Sequence, residues 1–145
     1  MTSSEVVVLA SGAMLLALLG VLHLGGLRLI GWCQPRRRHP YLRVLVTFWA
    51  LAVLHLVEIA IGALALWLLA AVPGTGAFGP AFGGAAADYL YVAGISFVTL
   101  GYAQVEAQGA IRLLVMLLSL GGFMVLTWSA TFIYTIWGEN FRDEP

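Results

Sequence analysis

The sequence predicts an all-helical integral membrane protein: three spanning helices, with a helical segment too short to cross lying between the second and the third. Two observations carry this. Hydrophobic residues make up 61% of the chain and charged residues only 10%. A soluble domain carries about 25% charged residues, so too few remain here to cover a water-facing surface. The apolar residues also fall in long runs, which points to lipid rather than to a large core. At 145 residues there is room for one domain.

The first run extends from Val6 to Leu27 without a formal charge. At about 1.5 Å per residue it is long enough to cross roughly 30 Å of hydrocarbon. The preceding Met1 to Glu5 has no basic region, and no small-residue cleavage site follows the run, so a cleaved signal peptide is not expected. Cys33 to Pro40 is a polar loop bracketed by Pro35 and Pro40, where the chain turns. The second run, Val44 to Val72, is interrupted by His55 and Glu58. Pro73 to Pro80 is rich in glycine and proline and reads as a loop. Residues 85–98 read as the short helix, with Asp88 near its first turn, where a carboxylate suits the helix dipole. The third run is Leu113 to Trp137, and a short acidic tail covers 138–145.

The formal net charge is zero, but Arg36, Arg37, Arg38 and Arg43 crowd into the first loop. The positive-inside rule places that loop in the cytoplasm. With three spans the N-terminus is then outside and the C-terminus cytoplasmic, and the segment from Pro73 to Gln108 opens to the outer face. The basic cluster is too short to point to nucleic acid. Cys33, the only cysteine, can form no intrachain disulfide, and no zinc-ligand spacing is present. There is no Walker, dinucleotide-binding or nucleophile-elbow motif. No enzymatic activity, cofactor or small-molecule substrate is therefore expected. Seven basic residues, all arginine, hint at a GC-rich genome and a bacterial inner membrane.

After the short helix comes Ser96-Phe97-Val98-Thr99-Leu100-Gly101-Tyr102-Ala103-Gln104. This stretch resembles the selectivity filter of the potassium-channel pore family, T-V-G-Y-G. Thr99, Gly101 and Tyr102 match, and Leu100 replaces valine conservatively. The resemblance covers roughly Ala85 to Trp137 and takes in the second span. It implies an outer helix 44–72, a turret 73–84, a pore helix 85–98, a filter 99–103 and an inner helix 109–137. Together, 44–137 would form a pore domain, preceded by an N-terminal helix and basic loop, 1–43. One pore segment per chain implies a homotetramer, with the first helix packing outside it. The resemblance also implies a re-entrant filter whose ligands for a monovalent cation are the carbonyls of Thr99, Leu100, Gly101 and Tyr102, plus the Thr99 hydroxyl. Backbone carbonyls of that kind replace a cation's hydration shell.

Two departures fall at the outer end. The family's last filter glycine is Ala103 here, and the aspartate that follows is Gln104. A left-handed backbone costs a residue with a Cβ about 1 kcal/mol or more. The expectation is therefore a potassium-preferring or weakly selective cation channel. Glu106 is positioned to restore negative charge at the outer mouth. Gly121 and Gly122, near the middle of the third run, are candidates for a gating hinge or for close helix packing. Ser119, Thr127, Ser129 and Thr131 are small and polar, and none stands out alone. No voltage-sensor repeat exists, since Arg28 stands alone in its region.

Glu58 lies about 22 Å beyond the arginine loop on helical rise, the depth expected for the filter. A membrane carboxylate faces protein or water and is a functional candidate by default. Glu58 is expected to brace the pore helix or filter from behind. His55 lies one turn away on the same face. His23 in the first span falls at a similar depth, so the two histidines can meet in a pH-sensing contact or each hold a buried hydrogen bond. A metal on His23, His55 and Glu58 has no spacing motif behind it. Two alternatives accompany the channel: a nonconducting, pore-like subunit packed in a larger complex, and a small membrane enzyme or proton-linked carrier built on the same three residues.

Overall fold

The computed structural model describes residues 1–34, 39–100 and 105–141. In chain order they form α1 (Ser3–Trp32), α2 (Pro40–Ala70), β1 (Ala77–Phe78), α3 (Ala86–Phe97), β2 (Ala107–Gln108) and α4 (Ile111–Phe141). The fold is helical, and α1, α2 and α4 are each long and apolar enough to cross a membrane. The arginines 36–38, the expected filter residues Gly101, Tyr102 and Ala103, the expected outer-mouth residue Gln104, and the end of the tail, 142–145, lie outside the described residues.

All three long helices extend beyond their apolar runs, α1 and α2 for a local reason. At the start of α1 the Thr2 hydroxyl accepts from the Glu5 N–H (3.3 Å) while the Glu5 carboxylate accepts from the Thr2 N–H (2.8 Å). This reciprocal cap satisfies two donors that have no partner inside the helix. Pro40, read from sequence as the end of a loop, is instead the first residue of α2. Proline suits that position because its missing N–H would have had no partner there. α4 continues past Trp137 through Gly138 to Phe141.

Facing pairs fix the directions of the helices. His23 faces Glu58 and Gly26 faces Leu54, so α1 and α2 are antiparallel. Gly12 lies against Leu117, and Gly121 against Leu16 and Leu19, so α1 and α4 run parallel. An Arg43–Glu139 ion pair of 3.2 Å joins the start of α2 to the end of α4. Small residues set the spacing: a Cβ on Gly12 would lie 2.5 Å from Leu117 Cδ1, and one on Gly62 2.8 Å from Leu118 Cδ1. Close approach at glycine is how membrane helices gain dispersion contacts. Leu19, Leu66, Phe97, Ile111, Leu114 and Leu118 are fully buried at the centre. The outward faces are also apolar, with Leu18, Val21, Phe48, Val53, Leu56 and Leu64 exposed. A surface of that kind belongs in lipid.

At one end of the bundle β1 and β2 pair antiparallel, Ala77 opposite Gln108 and Phe78 opposite Ala107. The Gly79 N–H donates to the Glu106 carbonyl (2.8 Å) and the Ile111 N–H to the Thr75 carbonyl (2.7 Å). The Thr75 hydroxyl donates to the Leu69 carbonyl (2.7 Å), tying the ribbon to the end of α2. Gly76, at φ +123°, leaves no room for a side chain against the Gln108 carbonyl. Nothing in the sequence predicted this ribbon.

α3 begins beside the ribbon. Asp88, expected near its first turn, accepts from the Ala85 N–H at 3.0 Å and caps the helix. Phe82 packs on Phe78 and Tyr89 with ring centroids 4.4 and 4.8 Å apart. From there α3 runs between α2 and α4 and ends on the buried Phe97. The Phe97 carbonyl occupies the space that a Cβ on Gly122 would need. On helical rise, Gly122 is about 16 Å along α4 from Ile111, so α3 ends near the middle of the long helices.

Candidate functional site

Two features meet at that depth: the end of α3 and a buried cluster of ionisable residues. At the end of α3, the Leu100 N–H donates to the Ile95 carbonyl (3.1 Å) and the Thr99 N–H to the Ser96 carbonyl (3.0 Å). These are the paired bonds of a Schellman C-terminus, whose first residue past the cap is left-handed and usually glycine. Here that residue is Thr99, with φ +56°. A β-branched residue resists this conformation by roughly 1–2 kcal/mol. Leu100 is exposed. The expected filter residues Gly101, Tyr102 and Ala103, with Gln104 beyond, lie outside the described residues. The chain is described again at Val105, and Glu106 is exposed beside the ribbon, its carbonyl bound by Gly79.

The cluster joins α1, α2 and α4. Glu58 is fully buried, and each of its carboxylate oxygens meets one imidazole: Oε1 to His23 Nδ1 at 2.9 Å and Oε2 to His55 Nδ1 at 2.8 Å. A carboxylate acceptor selects the Nδ1–H form of each ring. The far nitrogen of His23, Nε2, meets Ser129 Oγ at 3.3 Å. The two imidazoles stack nearly parallel, 5.6 Å between centroids and 13° between planes. Trp128 lies against His23, centroids 5.5 Å apart, and Phe97 against His55, 5.8 Å apart. An anionic side chain taken out of water needs its lone pairs filled, and the two imidazoles, one from α1 and one from α2 itself, meet that need.

The sequence left open whether His23 and His55 meet or are buried separately; the structure brings both to the Glu58 carboxylate. The described partners of Glu58 are the two histidines, and its link to α3 passes through the His55 ring to Phe97. Ser129 was missed, since one hydroxyl among several gave no signal. It is buried and aimed at His23, whereas Ser119, Thr127 and Thr131 bond back to carbonyls of their own helix at 2.8–3.1 Å. Gly121 and Gly122 both sit at contacts, Gly121 against Leu16 and Leu19 of α1 and Gly122 against the Phe97 carbonyl of α3.

The ligating atoms of His23, His55 and Glu58 lie within 4.8 Å of one another. His55 is the member nearest the surface, its side chain 16% exposed. It lines a groove of about 260 Å³ with Leu51, Ser129 and Ile133. No family model, curated protein or solved structure matches the chain.

Proposed function

We propose that the chain is the subunit of a homotetrameric channel that passes monovalent cations passively, preferring potassium or selecting weakly. The observation that carries this reading is the position of the carboxyl end of α3. It lies about 16 Å along α4 on helical rise, whereas β2, which follows at Ala107, is hydrogen-bonded to β1 beside the start of α3. The distance to be regained corresponds to about five extended residues. The Thr-Leu-Gly-Tyr-Ala stretch, residues 99–103, begins in the capping turn, and residues 101–106 separate that turn from β2. The reading is thus a re-entrant pore helix followed by a filter, 99–103, returning to the outer face.

The physics of conduction follows. A helix carboxyl end carries partial negative charge, and α3 would direct it toward the bilayer midplane, where a cation is least stable. Carbonyls of Thr99, Leu100, Gly101 and Tyr102, repeated around a fourfold axis with the Thr99 hydroxyls, would replace the ion's water. The strained backbone at Thr99 supports the same reading, because such strain persists where the surroundings over-determine a functional position. Ala103 and Gln104 leave the outer end with neither the family's glycine nor its carboxylate, which weakens discrimination between potassium and sodium. Glu106, exposed at the ribbon, would draw cations to the mouth. Phe97, held by His55 and, behind it, Glu58 and His23, would brace the filter from the rear. Thr127, Thr131 and Thr135 follow one another on the exposed face of α4, where inner-pore water would meet them.

The test is cation flux into liposomes holding the purified full-length chain, alongside native mass spectrometry of its assembly. The expected result is a tetramer that passes potassium faster than sodium by a modest factor. Thr99→Gly relieves the left-handed strain, by about 1 kcal/mol, and removes the hydroxyl. It should therefore assemble normally while shifting the potassium-to-sodium ratio. Tetramers without flux would instead favour a nonconducting subunit, and stable monomers would end the reading.

A further inference from the structure

Independently of conduction, we propose that His23, His55 and Glu58 form a binding site for a divalent zinc-class metal ion within the helix bundle. The donors are two imidazole nitrogens and a carboxylate, the set that zinc and neighbouring late transition metals take and that magnesium and calcium do not favour. Their ligating atoms already lie within 4.8 Å of one another. A tetrahedral zinc with ligand bonds of about 2.0–2.2 Å sets its ligands about 3.3 Å apart. The two histidine–carboxylate separations, 2.9 and 2.8 Å, need to open by about half an ångström, and the widest donor separation, up to 4.8 Å, to close by at most about 1.5 Å. Both Nδ1 atoms address one carboxylate from nearly parallel rings.

The surroundings suit a ligand. Metal-bound histidines hold their other ring nitrogen in a hydrogen bond, which fixes the ring. His23 does this through Nε2 and Ser129 Oγ, 3.3 Å apart. Coordination at Nδ1 moves the ring proton to Nε2, and a serine hydroxyl accepts there as readily as it donates. His55 and Ser129 line the same groove, so a fourth ligand position would open on that side. Two neutral imidazoles and one carboxylate leave a bound dication with one net positive charge, which favours an anion in that fourth place. Two ligands stand one turn apart on α2 and the third on α1, so the ion would pin α1 to the outer helix.

Equilibrium dialysis of the full-length protein against zinc alone, with metal quantified per chain, tests this. The cobalt-loaded protein reports four-coordinate geometry through its visible absorption. One zinc per chain and a tetrahedral cobalt spectrum are expected. Glu58→Gln and His55→Ala should each abolish stoichiometric binding; His55 is partly exposed, so its variant keeps the test alive should Glu58→Gln fail to fold. Ser129→Ala should weaken affinity about 10- to 100-fold. His39→Ala and Cys33→Ser remove the other histidine and the cysteine and should leave binding intact. Absence of stoichiometric zinc in the wild-type chain, or binding that survives His55→Ala and disappears with His39→Ala or Cys33→Ser, overturns the site.

Discussion

Gly122 shows how a single hydrogen atom in place of a side chain sets the depth of α3. The Phe97 carbonyl occupies the space a methyl group would need there, and that carbonyl belongs to backbone, which cannot swing aside. Gly122→Ala should therefore cost about 1–3 kcal/mol through overpacking and push the end of α3 away from α4. Gly20, on the same scaffold, has nothing within 4 Å of its would-be Cβ. Gly20→Ala should be neutral or slightly stabilising, since alanine outranks glycine in a helix by about 1 kcal/mol. Thermal unfolding in detergent separates the two, and equal midpoints would remove Gly122 as a packing constraint. Thr99 illustrates the converse at the same place. Its left-handed backbone is a cost that local propensity alone would have avoided with glycine.

Between elements, the β1–β2 ribbon and the cluster around Glu58 do different work. The ribbon holds the segment before α4 against the loop after α2, through the Gly79–Glu106 and Ile111–Thr75 backbone bonds. Its weak point is Gly76, where φ is +123° and the Gln108 carbonyl blocks a Cβ. Gly76→Ala should open the ribbon without unfolding the long helices. Amide exchange at Gly79 and Ile111 should accelerate while helical content by circular dichroism stays constant. Unchanged protection at both amides would show that the ribbon does not depend on that glycine. The Glu58 cluster instead ties long helices together in a low dielectric, where a satisfied network stiffens the bundle and a half-satisfied one is costly. The Arg43–Glu139 pair joins α2 and α4 far from it. With Glu139 43% exposed on its side chain, that pair contributes about 1 kcal/mol or less.

For the whole molecule, the open question is which end faces the cytoplasm. Arg43 at the start of α2 and Glu139 near the end of α4 share one end of the bundle, and Cys33 lies past the end of α1, joined to α2 by the arginine loop. By the positive-inside rule this end is expected in the cytoplasm. Cys33 is exposed and is the only cysteine in the chain, so it is a ready-made probe. A membrane-impermeant maleimide should label it in inside-out vesicles and leave it unlabelled in intact cells. Labelling from outside would reverse the orientation and turn the ribbon, with the proposed filter mouth, toward the cytoplasm.

The membrane class and the number of long helices followed from the sequence because both depend on sums over many residues: too few charges for a water-facing surface, and apolar runs as long as a bilayer is thick. Constant helical rise set His55 one turn from Glu58 and His23 at a depth similar to His55, whereas the packing of α1 on α2 decided that both close on the Glu58 carboxylate. Other features depended on which faces of the helices meet. Ser129 became a partner of His23, while neighbouring hydroxyls turned back to their own carbonyls, because α1 and α4 run parallel with that face inward. Gly122 met a backbone oxygen because α3 wedges between α2 and α4. The two-residue ribbon formed because Gly76 and Gly109 let distant loops approach, and a pairing that short carries no periodicity to read. Composition and rise are properties of a chain by itself, whereas a contact belongs to two segments at once and exists only after they have packed.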